Sequence, residues 1–134
     1  MAAGRYSFVI EQGATTDFEI LYKDSNNDPV DLSGHRAQMQ IRAEQTASSA
    51  VYLTLSSSLM PDGTGLNLSG SSGLNSPTSG SIGINISHLT SSLLNFNNAY
   101  YDLEIASGTG NSMVVTRVLA GAVGLSREIT SGSF

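Results

Sequence analysis

V-D-L-S-G-H-R-A-Q-M-Q-I-R, residues Val30–Arg42, decides the fold, because from His35 onward it alternates without a break. His35, Ala37, Met39 and Ile41 fall on one side, and Arg36, Gln38, Gln40 and Arg42 on the other. Side chains of a strand point to opposite faces with a period of two, so the pattern predicts a strand with one dry and one wet face. On a helix the first four positions would be scattered around the circumference. D-S-N-N-D-P, just upstream at 24–29, predicts a turn: Asp and Asn bond their own backbone, and Pro29 fixes φ.

The same rhythm recurs in both directions from there. Arg5–Glu11 reads as a strand with Tyr6, Phe8 and Ile10 on one face, broken by Gly13. Thr16–Lys23 reads as a second, with Phe18, Ile20 and Tyr22 inward and Asp17, Glu19 and Leu21 outward. Spacing leaves open whether these two form a hairpin or lie in facing sheets. Downstream, residues 43–50 fit a loop or one helical turn, and Val51, Leu53 and Leu55 mark another strand. The Ser/Gly/Pro-rich passage 56–81 is too long for a structureless loop in a compact domain, so a short strand is expected at Leu66–Leu68. The rest, 69–80, reads as a surface excursion, with partner contact as its functional alternative.

Ile82, Ile84 and Ile86 define the next strand. Ser87 as N-cap, Leu89 and Leu93 four apart and a terminating Asn run predict a short helix near residues 87–95 that plugs one end of the fold. Tyr101, Leu103 and Ile105 face inward from a strand over 99–106. S-G-T-G-N turns the chain, and Met113–Leu119 pairs back, with a bend or bulge at Gly121 before Val123 and Leu125. Arg127–Phe134 reads as an extended tail. About eight short strands punctuated by turns predict an all-β sandwich or barrel. A chain of 134 residues makes this a single domain, 1–134, with extended N- and C-terminal segments.

Charged residues are 13% of the chain, about half the usual share, with a net charge of −5. Arg5, Lys23, Arg36, Arg42, Arg117 and Arg127 are dispersed, which argues against direct binding to nucleic acid or an anionic membrane. There is no cysteine, hence no disulfide framework and no thiol nucleophile. The first residues lack the apolar core of a signal peptide, so the expectation is a chain made and kept, at least at first, in a cytoplasm. The sequons at Asn67 and Asn85 are read as chance matches.

Little in the sequence carries chemistry. His35 and His88 are the two histidines, and no nucleophile-elbow pattern accompanies them, so no catalytic residue is assigned. Asp24–Asp28 opens with the oxygen spacing of a calcium loop, but Pro29 stands where Gly is needed and His35 where a bidentate Glu is needed. Even with Asp31 nearby, residues 24–31 read as a polar turn with at most weak calcium binding, and no metal or cofactor is assigned. Asp62-Gly63-Thr64-Gly65 lacks the Lys of a phosphate loop. Tyr100 offers a half-exposed ring to a sugar, whereas Tyr101 belongs to the core. The polar row Arg36, Gln38, Gln40 and Arg42 reads as a solvated face or a flat subunit interface.

E-Q-G-A-T-T-D-F-E-I, D-P-V-D-L-S-G-H-R-A-Q-M-Q-I-R, G-S-I-G-I-N-I-S, Y-Y-D-L-E-I and V-V-T-R-V-L-A-G follow one another in an order that resembles small virion structural proteins of tailed bacteriophages, especially those of cyanobacterial myophages. The order is also similar to the immunoglobulin-like N-terminal domain of phage upper-baseplate proteins. The resemblance spans Ile10 to about Leu125. It implies an Ig-like antiparallel β-sandwich of about seven to nine strands and a non-enzymatic tail or baseplate subunit. Such a subunit is present in several copies, contacts other virion proteins and is assembled in the host cytoplasm. Asp31 and Gly34 match the turn launching the third strand, and Asp102 and Arg117 the polar positions of the last hairpin, all structural roles. The link between Leu66 and Ile82 is longer here than in that family. A capsid decoration or neck protein and a carbohydrate-binding attachment module are the alternatives.

Overall fold

The computed structural model describes residues 4–70 and 73–130. Its strands are β1 (Gly4–Arg5), β2 (Phe8–Glu11), β3 (Thr16–Leu21), β4 (Arg36–Arg42), β5 (Val51–Ser56), β6 (Gly65–Asn67), β7 (Ser81–Ile86), β8 (Asn98–Ser107) and β9 (Val114–Ser126), with a one-turn helix α1 (His88–Ser91). One sheet runs β1-β9-β8-β4-β5 with β2 also on β9, and the other runs β3-β7-β6. They face each other as an all-β sandwich with one short helix, the architecture that the alternation predicts.

β4 sits where its pattern demands. Its inward residues Ala37, Met39 and Ile41 are buried, with Met39 opposite Leu55 on one neighbour and Leu103 on the other. Ile82, Ile84 and Ile86 of β7 and Leu66 of β6 close the core from the second sheet. Toward β2, the core ends in a cluster of rings in which Phe8 lies 5.0 Å from Phe18 and 5.2 Å from Tyr101. His35 lies just before β4 and is only partly covered. Tyr6 and Val51, which the alternation places on the same faces as Ile10 and Leu55, are exposed.

The open question about the first two strands resolves to facing sheets. Gly13, in the left-handed region at φ 82°, turns the chain from β2 into β3 on the opposite layer. β1 and β2 then run parallel to β9 in one continuous register, Gly4 opposite Leu119 and Phe8 opposite Val123, so the large sheet is mixed where a wholly antiparallel one is expected. The last strand also differs. The bulge in β9 lies at Val118, where the pairing shifts between Leu103 and Glu104, and not at Gly121. Gly121 instead answers a close approach: a Cβ there would stand 2.0 Å from the Tyr6 carbonyl oxygen, which accepts a 2.6 Å hydrogen bond from the Tyr101 hydroxyl.

The helix plugs its end of the sandwich, but with the face opposite to the one expected. Leu89 and Leu93 are 58% and 83% exposed, while Thr90 and Ser91 are buried. A single helical turn holds its place here by hydrogen bonds: Ser91 Oγ donates to the Ala14 carbonyl, and Thr90 Oγ1 to Asp62. Leu94 and Phe96, just beyond it, supply the apolar contact. Of the long passage 69–80, Gly70 and Gly73 pack against Asn75, Glu19 and Asn67, so this part folds back over the outer face of the small sheet. Residues 131–134 of the expected tail lie outside the described residues, as do 71–72 of the passage. Arg127–Thr130 is exposed and belongs to no strand.

Candidate functional site

The residues singled out from sequence scatter over the fold. His35 stands at the start of β4, its Nδ1 3.2 Å from the Ser33 carbonyl, whereas His88 opens α1 at the other end of the sandwich. The two histidines therefore share no site. Asp24 spends its carboxylate locally, accepting the backbone N–H groups of Asn26 and Asp28 at 2.9 and 3.0 Å, with Asn27 left-handed at φ 65°. The run 24–28 is thus a self-bonded Asx turn. Asp31 likewise accepts the Ser33 N–H, and hydrogen bonds from Ser33 hold its carboxyl below the usual range. No group of three or more His, Asp and Glu able to hold a metal occurs among the described residues.

Asp62 organises a network that local sequence does not reveal. Its carboxylate accepts hydroxyl hydrogen bonds from Thr90 at 2.6 Å and Ser87 at 2.9 Å, and the Thr64 N–H at 3.0 Å. Thr64 Oγ1 in turn accepts the Ser87 N–H and donates to Thr90. The Thr90 bond above all, then the Thr64 amide, holds the Asp62 carboxyl far below the carboxylate range despite the opposing effect of burial. Ser87 is N-cap to α1, its Oγ accepting the Leu89 N–H while donating to Asp62, a carboxylate held too acidic to act as a strong base. This cluster pins α1 onto the β6 turn.

A concave region of the outer surface lies on the large sheet, over the polar rows of β4, β8 and β9. Gln40 opposes Asp102, Arg42 opposes Tyr100, and Glu104 opposes Arg117. Arg42 reaches from this row to the Ser49 carbonyl and to Gln40 Oε1. Ser49 Oγ in turn donates to the carbonyls of Glu44 and Thr46, which folds the 43–50 loop into a wall beside the sheet. The result is a depression of about 420 Å³ with Ala120 and Gly121 among its lining residues and Arg5 at its margin. Arg117 Nε meets Asp102 Oδ2 at 3.3 Å across the face, an exposed pair worth about 0–1 kcal/mol. Tyr100 is half-buried on this face, while Tyr101 is buried beneath it, where burial pushes its hydroxyl pKa up. The periodicity of β4 and β8 marks Gln40, Arg42, Tyr100 and Asp102 as outward, and Arg117 joins them from β9. The arrival of Arg5 and of the 43–50 wall has no local sequence signal.

The face is therefore broad, shallow and charge-balanced, with Arg5, Arg42 and Arg117 set against Glu44, Asp102 and Glu104. With a lining that is mainly polar and charged, it suits a polar contact better than a small-molecule pocket, which needs mostly apolar walls. No family model matches the chain, and no curated protein does. Chains of solved structures do match, among them a crystal structure of a chicken TCR. That chain is 11% identical, with a TM-score of 0.44 over 94% of this chain, and this chain spans 55% of its length.

Proposed function

We propose that the protein is a non-enzymatic structural subunit of a tailed-phage virion, part of the tail or baseplate, which works through contacts with other virion proteins and is present in several copies. The observation that carries the reading is the state of the sheet edges. Among the described residues, β3, β5 and the first half of β9 each lack a strand neighbour on one side. These edges carry apolar side chains in the open, including Leu21 at 59% and Val114 at 61% exposure. Proteins that remain monomeric blunt such edges with charge, Pro or a covering loop, because an open edge recruits further strands. Apolar edges left open suit a chain whose neighbours cover them.

The charge-balanced outer face of the large sheet adds a second, polar contact area of the kind found at non-obligate interfaces. Mass spectrometry of extensively washed particles tests the reading. The chain is expected at a stoichiometry of several copies per particle; its loss on washing would end the proposal.

A further inference from the structure

Between the two sheets, the side where β3 faces the first half of β9 stays open. Ile20 and Tyr22 from one layer and Thr116, Val118 and Leu119 from the other line a cleft of about 470 Å³, within the roughly 300–1,000 Å³ range of occupied binding clefts. β1 covers the edge of β9 away from β8 only from Leu119 onward, so on that edge the backbone from Val114 to Val118 has no strand neighbour among the described residues. An extended peptide fits here twice over, by adding to the β9 edge and by dropping alternate side chains into the cleft.

The opposite end of the molecule offers such a peptide. Gln12 N–H bonds the Ser126 carbonyl and Leu125 N–H the Asn97 carbonyl, so the chain leaves β9 beside α1, away from the cleft. Arg127, bonded to Asn95 and Asn97, and Glu128, whose N–H bonds Gln12, fix the base of the tail. Ile129 then projects with 99% of its surface in water. Glu128 precedes it, and the cleft is flanked by Lys23, the chain's one lysine. We propose that the projecting end of the tail, Ile129 and Thr130, of one copy docks in the β3–β9 cleft of the next, with Ile129 inserted and Glu128, at the base of the tail, facing Lys23. Such a contact joins unlike surfaces, so its repetition builds a ring or a linear stack. The inference rests on the subunit reading and names the partner as a second copy of this chain.

The cysteine-free sequence allows a direct test on the full chain. Thr116→Cys and Ile129→Cys proteins, one of them tagged, are mixed under mild oxidation. A disulfide-linked heterodimer is expected in clear excess over the pair Ile129→Cys with Ser58→Cys, which places the second thiol beyond β5; equal yields overturn the proposal. In sedimentation over a concentration series, Ile129→Asp is expected to weaken self-association by about ten- to a hundredfold, the equivalent of withdrawing one aliphatic side chain from burial. Lys23→Glu is expected to weaken it too, with recovery in the Lys23→Glu/Glu128→Lys double variant. A wild-type chain that stays monomeric throughout, or association indifferent to Ile129→Asp, overturns the proposal. Particle incorporation separates the two readings. An Ile129→Asp chain that enters particles at wild-type copy number removes the tail contact and leaves the subunit role, whereas wild-type chain missing from particles removes the subunit role.

Discussion

Replacing Gly121 by Ala tests the close seam between the N-terminal strand and β9. The added Cβ would lie 2.0 Å from Tyr6 O, 2.7 Å from Tyr6 C and 3.2 Å from Tyr101 Cε1. Backbone is the obstacle, so the chain at Tyr6 must retreat by about 1.4 Å or more to restore an ordinary contact. Beside the β1–β9 ladder, three hydrogen bonds hold Tyr6 and Ser7 in place: Tyr6 N–H to Ala120 O at 3.0 Å, Tyr101 hydroxyl to Tyr6 O at 2.6 Å, and Ala122 N–H to Ser7 Oγ at 3.3 Å. At about 1 kcal/mol net each, their loss costs about 3 kcal/mol. The stiffer unfolded chain returns about 0.4–1 kcal/mol, leaving a net loss of about 2–3 kcal/mol. Gly124→Ala is the matched control, since its Cβ would meet only Val9 Cγ2 at 3.7 Å; it is expected to be neutral or slightly stabilising. Urea melts give the two free energies, and hydrogen exchange of residues 4–8 reports whether β1 has come away. A Gly121→Ala protein as stable as Gly124→Ala, with the β1 amides still protected, would refute the seam.

Further substitutions probe the core and the α1 end. Leu103→Ala removes a fully buried side chain and is expected to cost about 2–5 kcal/mol by chemical denaturation. Leu93→Ser, in the turn that follows α1 and 83% exposed, is expected to stay within about 0.5 kcal/mol. Thr64→Val strips the acceptor from the Ser87 N–H and a donor from Thr90, for an expected loss of about 1–3 kcal/mol. The Asp62 carboxyl is depressed in the folded state, so its contribution is complete above its unfolded value near 3.8 and fades as pH falls below it toward the folded value. Melting temperatures between pH 5 and pH 2 are therefore expected to fall less steeply in Asp62→Asn than in the wild type, from a lower starting point.

Strand positions were legible where apolar residues alternate, a period of two written into R-A-Q-M-Q-I-R, S-I-G-I-N-I and the run at 99–106, although β7 is buried on both of its faces. Which strand joins which sheet depends on partners far apart in the chain, so the parallel seating of β1 and β2 on β9 left no local trace. The helix misled for a related reason. Leu89 and Leu93 have the spacing of a buried stripe, but one turn is too short to need one, and its anchor is Asp62, 28 residues upstream of Thr90. At Gly121, a glycine reads the same whether it permits a bulge or admits a neighbouring carbonyl. The outward rows of the polar face follow from periodicity, whereas the wall at 43–50 and the β3–β9 cleft arise only when the layers are assembled.

A density map of intact particles that contain the chain tests the central claim most directly. The account predicts that neighbouring protein covers the open edges, Val114–Val118 of β9 and Leu21 of β3 foremost. A particle in which those edges face solvent in every copy would contradict it.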